Sequence, residues 1–201
     1  MVRFVRPGGM CLLFALGLPA QGPTYTRVAE SVFEMKGQIF SRATLELDLP
    51  ALRRCIAQPA VPSEDPLHRA LRGLREGRVR FRIRQSWEVD VSGAQRRAFN
   101  AQVAGEIWAP LPPFLRPALD RFLAWSDRSV NFGEAWEHES LGGGRLRSRY
   151  GAEPWRTWSD PGMTAVVAGL YLEGPDTTPG TRVAFRKGLV ALLGRAQPVH
   201  P

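Results

Sequence analysis

Cysteine, lysine and histidine are scarce in this chain of 201 residues, and it carries no long apolar run. Of its two cysteines, Cys11 falls in the first twenty residues, which leaves Cys55 without a partner and excludes an intrachain disulfide framework. A lone cysteine on an apolar helix face is expected as buried packing. His68, His138 and His200 have no neighbour at a ligand spacing such as His-x-x-x-His, so no metal site is expected. There is no Gly-x-Ser-x-Gly elbow, phosphate-binding glycine loop or dinucleotide fingerprint. Gly142-Gly143-Gly144 lacks the Lys-Ser or Lys-Thr that would follow in a phosphate loop and reads as a turn, so no cofactor is expected. Past the N-terminal stretch no run of about 20 apolar residues exists, which excludes a membrane-spanning helix there.

What the chain has in excess is arginine. Lysine and arginine together number 27, with Lys36 and Lys187 the only lysines, and the formal net charge is +8. Such a balance permits an anionic partner (lipid surface, polysaccharide or nucleic acid) without requiring one, since surface charge also serves solubility. With 44% apolar and 23% charged residues the composition is that of an ordinary globular domain. Residues 1–20 place Arg3 and Arg6 before the apolar stretch Met10–Leu18 and end in Pro19-Ala20. That order reads as a secretory signal and predicts a secreted or periplasmic protein, with a mitochondrial presequence as the alternative. Residues 21–194 are then one domain, and 195–201 a loose tail.

The organising stretch is Arg78 to Val91. Val79, Phe81, Ile83, Trp87, Val89 and Val91 share one parity; Arg78, Arg80, Arg82, Arg84, Ser86, Glu88 and Asp90 share the other. This alternation predicts a strand with one dry and one wet face, interrupted on the dry side only by Gln85. A straight strand of that length would be unusual, so a bulge or strong curvature is expected near Gln85 and Ser86. A second alternating run, Val32 to Leu49, has its weak points at Gly37 and Ser41. Helices are expected over 51–58, 66–76, from about 116, and over 181–194; the doubly apolar run 163–172 is a buried strand or a helix. Ser92–Arg96 reads as a hairpin loop and Ala98–Trp108 as its returning strand. Residues 129–140 and 145–150 form a second hairpin, which in a register centred on the glycines sets Glu139 opposite Arg145 and Glu137 opposite Arg147.

The fold expected from this order is α+β: a curved antiparallel sheet built from long hairpins and covered on one face by helices, including a C-terminal one. In element order alone it resembles helix-grip and other cavity-forming ligand-binding folds. The leading functional expectation is a non-enzymatic, exported binding or carrier protein. Phe81, Ile83, Trp87, Phe99, Phe132 and Trp136 would line a site for an apolar or amphipathic ligand. The wet-face arginines, Arg78, Arg80, Arg82 and Arg84 with Arg145, Arg147 and Arg149, would form an anion-binding surface for its head or for a polyanion. A nucleic acid is the weaker partner, because Phe81 and Trp87 have the wrong parity to stack bases between those charges. The enzymatic alternative is a hydrolase of envelope polysaccharide using Glu134 and His138 as the inward polar pair.

Overall fold

The computed structural model describes residues 23–58, 64–108, 111–173 and 180–196; the leader reading for 1–20 and most of the tail lie outside them. Six strands run in the order of the sequence, each antiparallel to the next: β1 (Tyr25–Met35), β2 (Gln38–Asp48), β3 (Phe81–Trp87), β4 (Ala135–Gly142), β5 (Arg145–Tyr150) and β6 (Arg156–Trp158). The second alternating run is therefore two strands, broken at Gly37. Lys36 and Gly37 both take positive φ (52° and 77°), the twist of a two-residue hairpin that closes Met35 against Gln38.

Between β2 and β3 come α1 (Leu49–Ala57) and α2 (Pro66–Arg75), each with a proline in its first turn and an aspartate cap, Asp48 and Asp65. Between β3 and β4 come α3 (Gly93–Trp108), a single 3-10 turn at Pro113–Leu115, and α4 (Arg116–Ser126); α5 (Met163–Leu172) and α6 (Thr181–Ala196) close the chain. The run apolar on both parities is α5. It packs against α2, α4, α6 and β5, so it needs no wet side, and Met163, Val166, Val167, Ala168 and Leu172 are all buried. Apart from Ala168, each of these side chains contributes roughly 1.5–3 kcal/mol of burial.

Three expectations are corrected. The first strand of the organising stretch is shorter than its alternation, since pairing with β2 and β4 is regular from Phe81 to Trp87 and no bulge occurs at Gln85 or Ser86. Length is shed at the ends instead: Val91 forms only an isolated bridge to Val130. Second, residues 98–108 are helix, not strand. Ser92 Oγ accepts from Gln95 N (3.3 Å) while Gln95 Oε1 accepts from Ser92 N (2.9 Å), a reciprocal cap that starts α3 where a hairpin loop was expected. Third, residues 129–134 precede β4 as a turn around Gly133 (φ 80°), with Phe132 held outward by its N–H to Asp90 Oδ1 (2.8 Å).

The closing helix lies close to the first strand. A Cβ added at Gly188 of α6 would fall 2.6 Å from Ala29 Cβ and 2.7 Å from the Val28 carbonyl oxygen of β1. Gly188→Ala gains up to about 1 kcal/mol of helix propensity. It must also push α6 off the strand, an overpacking cost of about 1–3 kcal/mol. The expected outcome in urea unfolding is a lower midpoint with an unchanged slope. An unchanged or higher midpoint would mean that α6 is not seated on β1 this closely.

Candidate functional site

The helix-covered face of the sheet is apolar at Ala43, Leu45, Leu47, Phe81, Ile83, Leu146 and Trp158, all buried. Towards β3 and β4 it becomes polar. Gln85, the one interruption in the dry parity, donates from Nε2 to Ser41 Oγ (3.0 Å) and accepts at Oε1 from the Tyr171 hydroxyl of α5 (2.9 Å). On β4, His138 is 1% exposed and lies 2.8 Å through Nδ1 from Ser148 Oγ, which also accepts from Trp158 Nε1 (3.0 Å). Burial, with the positive charge of Arg96 behind it, pushes the His138 imidazole down to about 3, so it is neutral. Trp158 occupies one lone pair of Ser148 Oγ, which keeps its O–H and a second lone pair for Nδ1, so either neutral tautomer of His138 satisfies the contact.

Of the two buried arginines among the described residues, Arg96 and Arg182, Arg96 lies against Trp87 and Trp136. It comes from the first turns of α3, is 7% exposed, and has its guanidinium 5.0 Å from the Trp87 ring centroid and 5.6 Å from that of Trp136. Among the described residues no carboxylate forms an ion pair with it, and its Nε has no hydrogen-bond partner. Asp127 acts on it at a distance, but that carboxylate lies 3.9 Å from Arg97. The indole Nε1 donors of Trp87 and Trp136 are likewise buried without partners. Burial lowers the Arg96 pKa, the expected response of an uncompensated cation. Asn100, one turn further along α3, fixes the helix by donating to Ser126 Oγ of α4 (3.0 Å).

The other face of the sheet carries charges of alternating sign. The register lines up Arg27, Glu46, Arg82, Glu139 and Arg147 across β1 to β5. Glu139 takes Arg82 at 2.8 Å on one oxygen and Arg147 Nε at 2.7 Å on the other. Burial raises its pKa, but the Arg147 and Arg82 hydrogen bonds outweigh that and hold it below the usual carboxylate range. Glu137 similarly takes Arg84 and Arg149. Tyr25 stacks on Arg82 (3.9 Å), and Trp155 lies across Arg147 and Arg149 (4.5 and 4.7 Å). The expected cross-strand charge pairs exist, shifted by two residues: the turn is Gly143-Gly144, and past a bulge between Ser140 and Gly142 Glu139 faces Arg147 and Glu137 faces Arg149.

These placements sort the predicted site residues. Phe81, Ile83, Trp87 and Trp136 are together in the interior; Phe132 is 67% exposed on its turn, and Phe99 points outward from α3 beside Phe33 (6.3 Å). Arg82, Arg84, Arg147 and Arg149 share two carboxylates, and Arg78 pairs with Glu76 (2.6 Å), so the seven arginines are not one free anion-binding surface. Arg80 and Arg145 stand apart, in a separate cavity. Glu134 and His138 are not brought together: Glu134 accepts from the Tyr150 hydroxyl and from Asn131 at the turn, while His138 lies under the helices. Among the described residues no group of histidine, cysteine and carboxylate side chains could hold a metal ion. Arg96 was missed because its segment reads as a loop; with 92–95 taken as a capping box, positions 96, 100, 103 and 107 fall on one helical stripe and the arginine becomes conspicuous.

No protein-family model matches the chain, and no curated protein matches it in sequence. Among solved structures, a crystal structure of a fatty-acid binding protein from Arabidopsis thaliana superposes with a TM-score of 0.64 at 11% identity, covering 87% of this chain and 91% of the plant one. The chain shares that protein's fold. At that identity the likeness establishes architecture alone, an α+β domain with an open antiparallel sheet and a C-terminal helix packed on its first strand.

The buried imidazole has a pH consequence. Because the folded pKa of about 3 lies below the unfolded value near 6.5, the unfolded chain binds the proton first as pH falls. The contribution is therefore complete above pH 6.5 and is lost on acidification towards pH 3. Between pH 7 and pH 5 the wild type is expected to lose about 2 kcal/mol more unfolding free energy than His138→Gln. Parallel pH profiles for the two proteins would contradict a buried neutral His138.

Proposed function

We propose that this protein is a non-enzymatic binder or carrier of an amphipathic ligand with an anionic head, held between the sheet and its helical layer. Its acyl or other apolar part lies against Phe81, Ile83, Trp87 and Trp136, and its head group takes the Arg96 guanidinium. The observation that carries this reading is the buried, unpaired Arg96 with two unpartnered indole donors against it. Three donor groups there, the Arg96 Nε–H and the indole N–H of Trp87 and of Trp136, are each buried without a hydrogen-bond partner, a cost that a carboxylate oxygen would relieve. The fold it shares with a protein described as fatty-acid binding supports a ligand-binding role in general. Export remains part of this proposal, and mass measurement of the mature N-terminus from the native host tests it.

The hydrolase reading loses its geometry, because Glu134 is tied to Tyr150 and Asn131 at the turn before β4 while His138 is buried against Ser148. The polyanion reading of the ladder loses its free charge to Glu137 and Glu139.

The test is a titration of delipidated protein with palmitate, followed by the fluorescence of Trp87 and Trp136. In Arg96→Met the buried charge is removed, so two changes of opposite benefit are expected. Thermal stability rises or holds, as when a buried ion gives way to an apolar residue. Palmitate affinity falls about 10- to 100-fold, matching about 1.4–3 kcal/mol for hydrogen bonds to a charged head. Unchanged affinity in Arg96→Met would remove Arg96 from the binding site, and no binding by the wild type would remove the carrier reading.

A further inference from the structure

We propose a second, independent site: a phosphate-type oxyanion site at the end of the sheet, made by Arg54 of α1, Arg80 before β3 and Arg145 at the start of β5. Together with Arg78 these side chains line a cavity of about 470 Å³. The cavity has one carboxylate, Asp48, and that group is committed to capping α1 through the Ala51 N–H (3.1 Å). Arg78 is paired with Glu76, whereas among the described residues Arg54, Arg80 and Arg145 form no ion pair and no side-chain hydrogen bond.

The contrast with the rest of the sheet gives this cluster its meaning. The neighbouring cavity on the ladder face, about 370 Å³, sets Glu46, Glu137 and Glu139 among Arg27, Arg82, Arg84 and Arg147, so its charges nearly balance. At the sheet end like charges gather without relief. Backbone contacts hold them together: Asp48 N donates to Arg80 O (3.0 Å), and Gly143 N to Gly77 O (3.2 Å), which joins the β4–β5 turn to the turn ahead of β3. Gly142 takes φ +86°, and a Cβ there would stand 3.1 Å from Arg80 Nε, so the missing side chain leaves room for that guanidinium to lie across the hairpin. Planar guanidinium forks from three elements suit an oxyanion with several acceptors and more than one charge. That chemistry is shared by a free phosphorylated small molecule and by the phosphate headgroup of an anionic lipid.

The site shares no residue with the interior around Arg96, so either can fail alone. The probes are inorganic pyrophosphate, by calorimetry, and phosphatidylcholine vesicles with or without phosphatidic acid, by co-sedimentation, all at fixed ionic strength. Wild type, the double variant Arg80→Gln/Arg145→Gln and the exposed control Lys187→Gln are compared, with palmitate affinity as the check that the interior is intact. The expected result is saturable pyrophosphate binding that weakens at least 10-fold in the double variant and is unchanged in Lys187→Gln. Co-sedimentation with phosphatidic acid vesicles that pyrophosphate competes away assigns the lipid headgroup, and pyrophosphate binding without co-sedimentation assigns a free phosphorylated ligand. Failure of the wild type to bind either probe, or a double variant that binds pyrophosphate as tightly as Lys187→Gln, would overturn the site.

Discussion

All the helices described pack on one side of a six-stranded sheet, and that one-sidedness decides the fate of every side chain on it. A residue on one parity of a strand goes under the helices and must be apolar or fully hydrogen-bonded; its neighbour meets water and is free to be charged. The register turns this rule into chemistry. On the wet face, Arg27, Glu46, Arg82, Glu139 and Arg147 fall into a row of alternating sign. On the covered face, Gln85 and His138 are tolerated because Ser41, Tyr171 and Ser148 satisfy them. Arg96 obeys neither condition. It arrives from a helix, is buried as deeply as the core around it, and finds no carboxylate.

Much of this was readable from residue order. Alternation located β2 and β3, Gly37 marked the point where the second run breaks, the glycine-rich turn located the β4–β5 hairpin, and apolar spacing behind Pro50 and Pro66 located α1 and α2. Errors came where two local signals competed. Residues 98–108 alternate well enough for a strand, yet the Ser92–Gln95 cap commits the backbone to a helix before that alternation begins. The hairpin pairs were right in kind and wrong in register, because β4 runs on to Gly142 and the turn closes on Gly143 and Gly144 alone. Phe132 belongs to a turn stabilised by Asp90, a contact 42 residues away in sequence that no local pattern carries. Arg96 was illegible for a different reason. One arginine among many has no signature until the helix that carries it is known.

The arginine excess is thus not a single property with a single use. Arg82, Arg84, Arg147 and Arg149 hold strands together through two shared glutamates, and Trp155 covers two of them. Exposed pairs of this kind contribute modestly each, and the network matters more than any member. Three others gather at the sheet end with no carboxylate to spare. Arg96 is buried beside Trp87 and Trp136, where its Nε and both indole Nε1 atoms lack partners. Replacing a buried, uncompensated charge with an apolar residue is often stabilising, so Arg96 is a cost to the fold taken alone.

The most direct measurement is made on Arg96 itself. In protein labelled with nitrogen-15, the Nε–H of Arg96 and the indole N–H groups of Trp87 and Trp136 give separate resonances, assignable by substitution. Adding palmitate should move these three together and slow their exchange with water, as an oxygen acceptor arrives among them, while the ladder arginines Arg82 and Arg147 stay in place. Three interior resonances that do not respond to a ligand that binds would contradict the account.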